Sequence, residues 1–134
     1  MGTTLNISPG LLQYHVLSKK WESDLEFFSI ETAFFHRLLD DYFTRLSVPK
    51  YSGRLKAIGR RLYELEQEES ELAAMLDGHL KHLQLIVENT IAREDESLAD
   101  MHATLEQMFS KFFGDYRDLK KQLFALAAEE KKNE

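Results

Sequence analysis

Every seventh residue from Tyr14 is aromatic: Tyr14, Trp21, Phe28, Phe35 and Tyr42. Offset by four, Leu25, Leu39 and Leu46 continue the seam, with Thr32 as its polar member, and no glycine or proline interrupts the stretch. A strand alternates faces with a period of two, so a seven-residue spacing would scatter these rings onto both sides. A helix turns about 100° per residue, so the same spacing returns each ring to nearly one face. The stretch predicts one long helix with its bulkiest side chains on one side.

The rest of the chain repeats the pattern. Leu55, Leu62, Leu76 and Leu83 form one row, with Ile58, Leu65, Leu72 and Ile86 as its partner. Ile91, Leu98, Leu105, Phe112, Leu119 and Leu126 form another, partnered by Phe109, Tyr116 and Leu123. These two sets do not share a phase. Extending the earlier one lands on Arg93, Ser97 and Asp100 where apolar residues are needed. A turn between Glu88 and Glu96 restores the phase, at Asn89-Thr90 or within the Arg93–Ser97 run; one long helix bending through the region is the alternative. Ser8-Pro9 reads as a cap followed by the first helical residue. Ser47-Val48-Pro49 reads as a stop, and Ser52 as the cap of the second helix. The expected fold is all-α: an up-down-up antiparallel bundle of three long helices, at about 9–47, 52–89 and 93–130, in a single domain 1–134. The charged tail from Ala127 onward is expected to fray.

Composition narrows the function classes. The formal net charge is −6 and the chain has no cysteine. Nucleic acid is therefore an unexpected partner, since phosphate backbones select basic faces. The local basic run Lys50, Arg54, Lys56, Arg60 and Arg61 reads as a solvated helix start. Disulfides and thiolate sites are excluded, which is compatible with a reducing cytoplasm. Met1 to Gly10 shows no basic run followed by an apolar core, so no secretory leader is expected, and no apolar run is long enough to span a membrane. The glycines fall singly, and neither a phosphate loop, a Gly-x-Ser-x-Gly elbow, a His-Glu-x-x-His zinc motif nor a calcium loop occurs. The expectation is a non-enzymatic cytoplasmic protein.

The first helix is apolar on more than one side. Beside the aromatic seam lies a second arc, Val16, Phe27, Ile30, Phe34 and Leu38. Two neighbouring helices cover the first arc and leave the second bare, unless this helix sits more centrally than its companions. Phe27, Ile30, Phe34 and Leu38 are thus the candidate interface, for a second copy in a homodimer or for a partner helix.

Polar residues also fall where leucine is expected. Asp24 and Glu31 lie between the two arcs, Glu69 interrupts the row from Leu62 to Leu76, and His79 the row from Leu72 to Ile86; His102 stands seven before Phe109. An antiparallel bundle sets His79 level with His102. Three readings are open: a hydrogen-bonded polar layer, histidines facing solvent, or a divalent metal ion held by Asp24, His79, His102 and Glu106. The Glu-x-x-His motif of di-iron bundles does not occur. Glu31 and Glu69 come out opposite each other, a conflict that a register offset, a tyrosine hydroxyl or a basic stem would resolve. A small helical interaction or scaffold protein is the leading expectation, and a metal- or small-ligand-binding bundle the alternative.

Overall fold

A computed structural model describes residues 9–45, 49–88 and 96–132. They form three helices: α1 Pro9–Arg45, α2 Pro49–Val87 and α3 Glu96–Lys132. No strand occurs among the described residues. None of the helices is long and apolar enough to cross a membrane among those residues.

The ends differ from expectation in physically simple ways. Pro49 opens α2, so Ser52 lies inside the helix and does not cap it. A proline that stops one helix is equally suited to the first position of the next, where its fixed φ fits and its missing N–H is not needed. Val87 ends α2, and the Glu88 amide makes a last bond of 2.9 Å to the Gln84 carbonyl. Arg61 and Arg54 of α2 pair with Asp115 and Glu129 of α3 in antiparallel order, so α2 and α3 are separate helices and not one long bent one. The tail expected to fray is helical as far as Lys132. The Ser8 cap, the 46–48 stop and residues 89–95, where the second turn was expected, lie outside the described residues.

The chain divides into two compact units, each drawing on all three helices. The first comprises α1 up to Glu26, α2 from Ser70 and α3 up to Ser110; the second comprises the remaining part of each helix.

In the first unit, Leu11 of α1, Leu83 and Ile86 of α2 and Leu98 of α3 form a buried cluster, with Tyr14 packed against it. Further along, Trp21 stacks on Phe109 with ring centres 4.9 Å apart and planes 11° from parallel. Contacts advance together along α1 and α3, while His79 of α2, which precedes Leu83, meets His102, which follows Leu98; α2 thus runs against the other two, the up-down-up order. In the second unit, Phe28 meets Phe112 and Tyr116 edge-on at 4.9 and 4.7 Å. The Arg61–Asp115 and Arg54–Glu129 pairs again set α2 against the direction of α3.

The apolar rows are buried as their spacing requires. Trp21, Leu25, Phe28, Phe35, Leu39 and Tyr42 of the seam are all interior, as are the eight leucines and isoleucines of the two α2 rows. Thr32, the seam's polar member, is buried too, and donates its hydroxyl to the Ser29 carbonyl at 3.2 Å. Removing a fully enclosed ring costs its transfer energy and leaves a cavity. Phe28→Ala is therefore expected to lower stability by about 3–5 kcal/mol in urea unfolding with an unchanged helical spectrum.

Candidate functional site

In the second unit, α1 presents an apolar face to solvent. Phe27, Ile30 and Phe34 are 60, 70 and 53% exposed, whereas Phe28 and Phe35, one residue along from two of them, are 2% exposed. Leu38, the fourth candidate, is partly buried. Phe124 of α3, 54% exposed, touches the buried Phe35 edge-on at 6.1 Å and extends the apolar surface from α1 onto α3. Alternating between neighbours this steeply is how a helix with two apolar sides looks when one is covered. Burial of the second side by a central placement of α1, the other expectation, does not occur.

Beside this face, Tyr116 donates its phenol to Glu31 at 2.5 Å, and the Lys120 ammonium reaches the same carboxylate oxygen at 3.2 Å. Lys120 also lies over the Tyr116 ring, 4.8 Å from its centre. Burial, then the neighbouring carboxylate, push the Tyr116 hydroxyl well above its ordinary range, which keeps it a donor. A tyrosine hydroxyl and a lysine stem thus resolve the charge of Glu31. Glu69 is only partly buried, and burial together with nearby Glu66 raises its carboxyl.

Two residues of the basic run, Arg54 and Arg61, are met by acids. Arg61 bonds Glu64, Glu68 and Asp115, and Arg54 pairs with Glu129. The side chain of Lys50 lies outside the described residues.

The polar feature of the first unit is a pair of histidines. His79 and His102 are 3 and 5% exposed, and His79 Nε2 lies 3.1 Å from His102 Nδ1. Tyr14 stacks on the His102 ring at 4.2 Å, and Trp21 tilts against it at 5.0 Å. The outward nitrogens, His79 Nδ1 and His102 Nε2, have no hydrogen-bond partner, and neither has the buried Ser18 hydroxyl. Two effects compete over the charge of these rings. A cation on an aromatic face gains about 0.5–2 kcal/mol. Burying an ion with unmet hydrogen bonds costs several kcal/mol. Burial wins: it brings His79 down to about 4, helped by His102 and His82, and lowers His102 against the opposing pull of Glu106. Both rings are neutral near pH 7, as a layer inside an apolar core requires.

Of the four candidate metal residues, only these two come together. Asp24 turns to its own helix and pairs with Lys20 at 3.0 Å; Glu106 is exposed and reaches His102 only through its field. Among the described residues, no group of three or more His, Cys, Asp or Glu side chains is gathered as a metal ion needs. An open groove of about 380 Å³ in the same unit includes Lys19, Glu22, Asp77 and Lys81 in its lining. Those four charges are already paired, Lys19 with Glu22 and Lys81 with Asp77, which leaves them little to offer a polar ligand. No family model, no curated protein and no solved structure matches the chain.

Sequence spacing marked Glu31 and both histidines and placed Tyr116 in an apolar row of α3, but it missed the bond from Tyr116 to Glu31, and it missed Lys120 and Ser18. The roles of Tyr116 and Lys120 depend on cross-helix register. Ser18 carries the plain signal of a polar residue four beyond Tyr14. Tyr116→Phe should cost about 1–2 kcal/mol, and less when Glu31 is already alanine, in a double-mutant cycle by urea unfolding. Ser18→Ala should gain up to about 1 kcal/mol on the same measurement, since it removes an unanswered hydroxyl and adds a better helix former.

Proposed function

We propose that this protein is a non-enzymatic helical interaction protein that works by self-association, the α1 face of Phe27, Ile30, Phe34 and Leu38 closing on the same face of a second copy. The observation that carries the reading is the exposure of three large apolar side chains on consecutive turns of one well-packed helix. Scattered apolar residues on a surface are ordinary; a contiguous set is often functional.

The magnitudes favour association. At about 200 Å² for a whole aromatic side chain, the exposed parts of Phe27, Phe34 and Phe124 amount to about 300 Å² per copy. Covering that area on two copies gains about 15 kcal/mol at about 25 cal/mol per Å². Lost freedom and side-chain ordering cost about 4–15 kcal/mol. The net gain runs from about zero to about 11 kcal/mol, a range that includes a dimer forming at micromolar concentrations. A second copy suits the face better than a strongly charged partner, because Arg37 and Asp41 flank it on α1 with opposite signs. A two-fold axis sets each residue against its counterpart's neighbours, so a mixed rim complements itself.

Size-exclusion chromatography with light scattering tests this. The full chain is expected to run as a dimer at high micromolar concentration, and Phe34→Glu as a monomer with unchanged helical content. A monomer for the unaltered chain under those conditions overturns the reading.

A further inference from the structure

We propose that the His79–His102 pair is a proton-operated latch on the first unit, shut while both rings are neutral and released in a mildly acidic medium. The proposal is independent of self-association, which concerns the second unit.

Counting protons gives the mechanism. Two neutral imidazoles carry two N–H groups. One N–H lies in the 3.1 Å bond between His79 Nε2 and His102 Nδ1; the other sits on one of the outward nitrogens. The remaining outward nitrogen keeps a bare lone pair. A third proton goes to that lone pair, since the shared bond holds only one. It turns the donor ring into an imidazolium whose new N–H finds no acceptor, because neither outward nitrogen has a partner among the described residues.

The surroundings offer little relief. From α1 the pair meets the rings of Tyr14 and Trp21, from α2 the field of His82, and from α3 that of Glu106. His82 opposes a positive charge and Glu106 favours one, but Glu106 is exposed and its field is screened by water. Opening the layer to solvent hydrates the new N–H.

The direction with pH follows from linkage. In the unfolded chain each imidazole takes a proton near pH 6.5. In the folded unit burial holds His79 neutral down to about 4 and delays His102 as well. The opened form therefore binds more protons below about pH 6.5, and acid favours it. Stability from the pair is complete above that pH and declines as the pH falls toward about 4. Within the window each histidine raises the opening constant up to about tenfold per pH unit.

The chain's one tryptophan, Trp21, lies 5.0 Å from the His102 ring and reports on this layer directly. Urea unfolding of the full chain, read by Trp21 fluorescence, is compared at about pH 7 and about pH 5 with the double variant His79→Leu/His102→Leu. The unfolding constant of the unaltered chain is expected to rise at least about tenfold more than that of the variant. Equal rises overturn the proposal. Should the variant not fold, imidazole NMR of the unaltered chain decides. Rings of His79 and His102 still neutral at about pH 5 while the fold persists support the latch; either ring protonated at that pH in the intact fold overturns it.

Discussion

A helix flanked by two others buries a little over a third of its circumference, and α1 carries apolar side chains on considerably more. This mismatch governs the rest of the structure. The aromatic seam takes the covered side, because Trp21, Phe28 and Phe35 offer the most area to remove from water and pair with Phe109, Phe112 and Tyr116 of α3. The other arc is left to solvent. Turning α1 to hide Phe27 and Phe34 would expose Phe28 and Phe35, with no net gain. The exposed face is thus a consequence of a full core and not a defect in packing.

How the fold was legible in the sequence follows from the same geometry. Burial of an apolar row depends only on helical period, so the heptads of α2 predicted its interior from Leu55 to Ile86 residue by residue. Helix ends depend on local competition. Pro49 satisfies a stop and a start equally, and only the start is seen. Leu11 stands two heptads before Leu25, on the same row carried back through Ser18, and is buried in a cluster with Leu83 and Leu98, which are distant in sequence.

The candidate sites were legible to different depths for a related reason. The exposure of Phe27, Ile30 and Phe34 follows from angles around a single helix, so the sequence sufficed. The level of His79 and His102 needed only rise per residue and the antiparallel order. Asp24 and Glu106 could not be placed that way, because an acid near a surface has cheaper partners than a buried imidazole. Asp24 finds Lys20 one turn away on its own helix, and sequence spacing cannot say which of two neighbours wins. Glu31 took a tyrosine from another helix, a choice set by details of register that no periodicity contains.

The two buried polar arrangements solve the same problem differently. At Glu31 a phenol and an ammonium meet the carboxylate. His79 and His102 sit deeper, with aromatic rings instead of counter-charges around them, and remain buried only by staying neutral. Leucines at the two positions would fill the layer without that condition. A hydrogen bond between two rings depends on register in a way that leucine packing does not, so exchanging the pair for leucines would relax that requirement together with the acid sensitivity we propose.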